Sequence, residues 1–312
     1  MRLVTLAPAK VNLVLRVGPR RPDGYHGLAS LMVPLDLGDA VEVRLSPRAG
    51  PVTCRVPGHR DLDGAGNLAA RAAEAFRARF DVGRGVAIRI EKRTPTTAGL
   101  GGGSSDAAAV LRCLAVACGV RDGAALAEVG LAVGSDVPFF LGPGPAWASG
   151  RGERLDPATV PTQHLVLLYP RDPALAIRAG QAYGWLDEAR GLEAGGEIPS
   201  RARGAAPLVP RRGGAFRPTQ TGNDLEAPCM AHRPALGALR GLLVGAGAEV
   251  ALMSGSGPTV FGLFAGRAEA RRAAGAIQAA VEEQQVEVLV ASTTQRPPRV
   301  QPWRSPRSAS SR

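Results

Sequence analysis

Residues 95–106 read Pro95-Thr96-Thr97-Ala98-Gly99-Leu100-Gly101-Gly102-Gly103-Ser104-Ser105-Asp106, after an alternating apolar stretch (Val86, Ile88, Ile90) and before an apolar run ending at Cys118. The spacing predicts a strand, a glycine loop and a helix start. Gly99, Gly101, Gly102 and Gly103 put no Cβ between main-chain N–H groups and an oxyanion, and a helix opened by Ser104 and Ser105 adds unpaired donors and a positive dipole end. A nucleotide phosphate suits such a cradle. The loop is not a Walker A sequence, because Gly103 is followed by Ser104 where Gly-Lys-Ser/Thr is required. Nor is it a dinucleotide fingerprint, whose third glycine would fall at Ser104. His59-Arg60-Asp61-Leu62 imitates a protein-kinase catalytic loop, but the fifth residue after Asp61 is Gly66 instead of Asn, and the segment precedes the glycine loop.

Of 38 Lys plus Arg residues, only Lys10 and Lys92 are lysines. Where arginine has replaced lysine nearly everywhere, the two that remain mark positions that want a compact ammonium, which a planar fork would not fit. Lys10 lies in Ala7-Pro-Ala-Lys-Val-Asn12, and Lys92 stands just before the glycine loop.

Five segments carry a family resemblance when taken in order: Ala7-Pro-Ala-Lys-Val-Asn-Leu13, Pro22-Asp-Gly-Tyr-His26, Ala98-Gly-Leu-Gly-Gly-Gly-Ser-Ser-Asp-Ala107, Gly134-Ser-Asp-Val-Pro138 and Met253-Ser-Gly-Ser-Gly-Pro258. Together they resemble the GHMP small-molecule kinases over residues 6–264. The resemblance implies an α+β, two-domain GHMP kinase fold, with a ribosomal protein S5 domain 2-like N-terminal domain and a ferredoxin-like C-terminal domain. It also implies ATP and Mg2+ as cofactors and a small-molecule alcohol as acceptor. Asp23-Gly-Tyr-His26 resembles the branch whose acceptor is cytidine diphosphate methylerythritol, phosphorylated on its 2-hydroxyl. Acceptors of the homoserine or mevalonate type offer no base for that aromatic pair.

The residues fit this chemistry. Asp136 can take the hydroxyl proton, and Lys10 can keep that carboxylate ionised and offset charge on the transferred phosphoryl group. The resemblance places Asn67 and Lys92 with residues 95–105 on the ATP side. Asn67 in Gly64-Ala-Gly-Asn could equally cap a helix. Tyr25 and His26 suit a cytosine platform, Asn12 the acceptor hydroxyls, and Gly255, Ser256 and Gly257 the cleft near the transferred phosphate. Ser105 could touch a metal ion, although the sequence shows no metal site made of protein ligands alone. Two departures from the family stand out. Residues 95–98 are Pro-Thr-Thr-Ala where glycine is common, and Arg178-Ala179-Gly180 replaces a Pro-Thr-Pro before Tyr183.

Around these residues the pattern predicts strands over 3–6, 13–17, 41–45, 165–169, 249–253, 260–264 and 287–291. Helices are predicted over 68–79, 174–186, 234–244 and 268–283. A cut near Pro157 gives a nucleotide-binding domain over 1–157 and a substrate-side domain over 158–295, with a basic insertion near 201–217. A disordered tail is expected over 296–312. Insertion and tail each hold five arginines and no acid, ten charges against a net +11, so the remainder is near neutral. With 4% aromatic residues and no binding motif, no specific nucleic-acid partner is expected. The four cysteines form no C-x-x-C pair, no apolar run has membrane length, and the first motif starts at Ala7. A cytoplasmic enzyme with reduced thiols is the expectation; its oligomeric state is not legible.

Overall fold

The computed structural model describes residues 1–21, 23–191 and 221–303. Its frame is a long antiparallel pair, β1 (Arg2–Arg20) and β2 (His26–Ala49). The two strands expected within residues 3–17 are one, because Pro8 interrupts the alternation in sequence but not the strand in space. Register shifts at Pro8/Lys10 and Asn12/Val14 absorb it. Gly38 of β2 makes the close approach possible, since a Cβ there would sit 2.3 Å from the Ala7 carbonyl oxygen.

β3 (Val52–Arg55) runs parallel to β4 (Arg84–Glu91), which pairs with β2; β5 (Ala146–Gly150) and β6 (Arg154–Pro157) extend the sheet from β2. An apolar cluster joins this sheet to α1 (Leu68–Phe80), α2 (Gly102–Cys118), α3 (Gly123–Val133) and α4 (Val137–Leu141). Ala69, Ala72, Ala73 and Phe76 give α1 a buried stripe at helical spacing.

The second sheet is antiparallel, in the order β11 (Val286–Ser292), β7 (His164–Pro170), β10 (Val260–Phe264), β9 (Val250–Met253). Its helices are α5 (Ala179–Ala189), α6 (Glu226–His232), α7 (Pro234–Gly245) and α8 (Arg267–Ala280). In chain order its strands lie 4-1-3-2, the ferredoxin-like arrangement. β7 is buried on both faces: Val166 and Leu168 join the cluster under the helices, whereas Leu165 and Leu167 meet Val11, Leu13 and Val33 of the first sheet. The sheets therefore pack directly against each other. The later half also returns to the first sheet, where β8 (Gly222–Asn223) and β12 (Gln301–Pro302) both pair with β1.

Three expectations need correction. The helix expected from residue 174 starts at Ala179, because Asp172 caps a short 3-10 turn over Pro173–Leu175, after which Ala176 is extended. α3, α4 and α6 carried no prediction. Residues 296–303 are not a disordered tail: Thr5 donates to the Arg299 carbonyl, and Trp303 N–H donates to the Arg2 carbonyl. The Arg2 guanidinium lies 3.4 Å from the centre of the Trp303 ring. The expected insertion at 201–217 and residues 304–312 lie outside the described residues. Among the described residues, no helix is long and apolar enough to cross a membrane.

Candidate active site

The glycine loop is wedged between the two halves. Gly99 has φ +75°, and a Cβ on it would stand 2.2 Å from the Ser254 carbonyl oxygen and 2.9 Å from that of Gly257. Its own carbonyl accepts from Lys10 Nζ at 2.8 Å and from Ser254 Oγ at 3.0 Å. Gly101, at φ +71°, precedes α2, and a Cβ there would meet the Phe140 ring at 2.9 Å. Gly99→Ala is therefore expected to cost about 1–3 kcal/mol of stability in urea unfolding. Gly103→Ala meets only a Leu68 methyl at 3.4 Å. It is expected to be neutral or to stabilise by up to about 1 kcal/mol, as alanine in a helix does. The residues standing where glycine is common in the family leave a mark too: Thr97 holds φ +52°, a left-handed conformation costly for a β-branched side chain.

Beneath the loop lies a charged cluster that sequence reasoning missed. Lys92 is buried between Asp39 and Asp106, its Nζ 2.9 Å from Asp106 Oδ2. Asp39 Oδ1 accepts the N–H groups of Arg93 and Thr94 at 2.6 and 2.7 Å. Burial opposes the Lys92 ammonium, but the carboxylates outweigh it and raise its pKa. Burial pushes the Asp106 carboxyl up to about 8; Lys92 opposes the rise and the Asp39 charge adds to it. The one ammonium is thus held between two carboxylates. Lys92, expected on the nucleotide, ties β4 to β2 and to the start of α2. Asn67 is committed likewise. Its Oδ1 accepts from Ala69 N–H and its Nδ2 donates to the Leu62 carbonyl, both at 2.9 Å, capping α1.

On the other side of the loop is a cleft of about 780 Å³. Of the expected residues it gathers Lys10, Asn12, Tyr25, His26, Gly99, Gly101, Asp136, Gly255 and Ser256. Asn67, Lys92, Pro95, Thr96, Thr97, Ala98, Leu100, Gly102, Gly103, Ser104, Ser105 and Gly257 are not in its wall. Lys10 Nζ donates to Asn12 Oδ1 at 2.7 Å, and Asn12 Nδ2 donates to Ser30 Oγ, which donates to the Val14 carbonyl. This chain of bonds fixes which way the Asn12 amide points. Burial lowers the Lys10 pKa, and the Asp136 charge partly restores it. Asp136 stands at the start of α4 with no side-chain capping bond, so its carboxylate is available to the cleft.

At the far end His26 is buried, stacked on Tyr183 at 5.2 Å between ring centroids, with Nε2 2.9 Å from Asp187 Oδ1. Tyr25 is exposed under the Arg151 guanidinium, 4.9 Å from its ring centre. Ala179 and Gly180, in place of the expected Pro-Thr-Pro, present a small-residue wall to the cleft. Asn223 was also missed. Its Nδ2 donates to the Met253 and Gly255 carbonyls at 2.8 and 2.7 Å, holding the turn that carries Ser256. No periodicity marks Asp187 or Asn223; both lie far in sequence from what they hold.

The models "GHMP kinases N terminal domain" and "GHMP kinases C terminal" match residues 67–144 and 214–283. A protein of Anaeromyxobacter dehalogenans (strain 2CP-1) named 4-diphosphocytidyl-2-C-methyl-D-erythritol kinase is 69% identical, over 100% of this chain and 97% of its own length. The chain belongs to that kinase family. A relative of the same name from Geobacter metallireducens is 42% identical over 89% of this chain and 95% of its own. A crystal structure of a 4-(cytidine 5'-diphospho)-2C-methyl-D-erythritol kinase aligns with a TM-score of 0.72 at 35% identity, over 93% of this chain and 99% of that one. The homoserine kinase of Cytophaga hutchinsonii shares the fold, with a TM-score of 0.68 at 18% identity over 96% of each chain.

Proposed function

We propose that this chain transfers the γ-phosphoryl group of ATP to the 2-hydroxyl of 4-diphosphocytidyl-2-C-methyl-D-erythritol, a step in making isoprenoid precursors without mevalonate. The observation that carries this reading is one cleft that holds Lys10, Asp136 and two loop glycines together with the His26–Tyr183 stack. Along the β1–β2 pair Lys10 stands opposite Pro34 and His26 opposite Arg20, so the ammonium and the His26 ring are set apart within one cleft, as an acceptor with a cytidine tail requires.

In this reading the glycine loop and the start of α2 hold the ATP phosphates through main-chain N–H groups. Asp136 accepts the 2-hydroxyl proton as the oxygen bonds to the γ-phosphorus and the bond to the β-phosphate oxygen breaks, releasing ADP. Lys10, held by Asn12 and the Gly99 carbonyl, faces the charge carried by the transferred group. His26, donating Nε2–H to Asp187, presents Nδ1 as an acceptor for a base edge, and Tyr25 and Tyr183 offer ring faces.

Magnesium fits as an ion brought in on the nucleotide. Among the described residues, no group of three or more His, Cys, Asp or Glu side chains could hold a metal alone. The Ser105 hydroxyl is sealed from water without a partner, whereas Ser104 is half-exposed with its hydroxyl toward Gly134. Ser104, rather than Ser105, would hold the ion together with the phosphates. Bound there, magnesium would offset the charge of the phosphates.

The test is ADP release from Mg-ATP with the cytidylylated acceptor, compared with methylerythritol phosphate lacking cytidine, homoserine and mevalonate. Turnover that depends on the cytidine moiety is the expected result. Equal or better turnover of an acceptor without a base would overturn the reading.

A further inference from the structure

Arg112 lies on α2 inside an otherwise apolar run in which Ala107–Leu111 and Cys113–Ala115 are all buried. The side chain is half-buried, and its Nε is out of water with no hydrogen-bond partner among the described residues. Among the described residues its hydrogen bonds go to main-chain carbonyls, from Nη1 to Phe140 and from Nη2 to Leu6 at 3.5 Å. Burial lowers its pKa to about 10, so the guanidinium stays charged at neutral pH. Desolvating a cation for two neutral acceptors, with one donor left unsatisfied, is a poor way to stabilise a helix. The benefit lies in what those carbonyls belong to.

Phe140 belongs to α4, the five-residue helix that starts after Asp136. Its ring packs where a Cβ on Gly101 would be, and that same position is 3.2 Å from Lys10 Cγ. Leu6 lies on β1 four residues before Lys10, and Arg112 itself belongs to the helix that opens at the glycine loop. One planar fork thus touches all three segments that bear the base, the ammonium and the phosphate cradle. We propose that Arg112 is a positioning residue for phosphoryl transfer, fixing the Asp136 helix against the Lys10 strand and the α2 helix. This rests on the kinase reading above.

The test uses Arg112→Lys, which keeps the charge but cannot span both carbonyls, and Arg112→Met, which keeps only the length. Because a displacement of about 1 Å can cost about 100-fold in rate, kcat is expected to fall about tenfold in the Lys variant and about 100-fold in the Met variant, with both KM values within about threefold. The ratio of ADP formed to acceptor phosphorylated should also rise above that of the intact enzyme, because a misaligned hydroxyl gives way to water. A purely structural role would not move that ratio. Folded variants with kcat within about twofold of the parent, or a loss carried by KM alone, would overturn the proposal. If circular dichroism shows the Met variant unfolded, the Lys variant decides by the same criteria. If the parent ignores the cytidylylated acceptor, the same quantities are read with the alcohol it does phosphorylate, which separates failure of the substrate reading from failure of this one.

Discussion

Asp136→Asn is expected to lower kcat by about 10²- to 10⁴-fold, the usual share of a general base, and to leave the KM for ATP within about threefold. The substitution is nearly isosteric, and the Asp136 side chain makes no capping bond that the change would break. What it removes is the proton acceptor and a negative charge felt by both Lys10 and the Tyr183 phenol. Steady-state rates at saturating ATP and acceptor, with a melting curve to show that the variant is folded, check this. Activity within tenfold of the parent would take Asp136 out of the proton transfer.

Lys10→Met is expected to cost about 10²- to 10³-fold in kcat, as removal of one well-placed donor to a charged transition state does. The pH profile gives a second handle on the same group. Burial favours the neutral amine, so Lys10 loses its proton below the ordinary lysine value of 10.5, and Asp136 offsets part of the shift. Activity that needs the ammonium must therefore decline on the alkaline side earlier than an ordinary lysine would dictate. That limb should disappear in Lys10→Met, and it should move to still lower pH in the residual activity of Asp136→Asn, where the restoring charge is gone. An alkaline limb unchanged in Lys10→Met would assign it to another group.

The parts of the site legible in sequence are those whose chemistry is local. Glycines that must take positive φ and the turn before Asp136 each act within a few residues, whereas α2 opens at Gly102, ahead of the Ser104 and Ser105 hydroxyls expected to start it, and with no side-chain cap. Lysine scarcity pointed correctly to two special ammonium positions, but not to what each does. Lys10 faces the cleft, whereas Lys92 is claimed by Asp39, 53 residues away, and by Asp106. The unreadable parts are long-range. The His26 ring is set by Asp187 across 161 positions, and the Ser256 turn by Asn223, which pairs with β1 from more than 200 residues further along the chain. Pro8 split one strand into two on paper, because periodicity sees the missing alternation and not Gly38 opposite it.

β1 threads all three apolar clusters: Leu3 and Ala7 lie in the first, Val11 and Leu13 in the one between the sheets, and Leu15 and Val17 in the third. A strand shared in this way couples the melting of one half to that of the other. Heat should therefore unfold the molecule in one calorimetric transition, with no stable half-molecule left behind. It also means that the cleft is not a hinge between independent bodies. Gly24, Tyr25, Arg151 and Gly152 bring two turns to its wall, whereas Lys10 is carried by the shared strand itself.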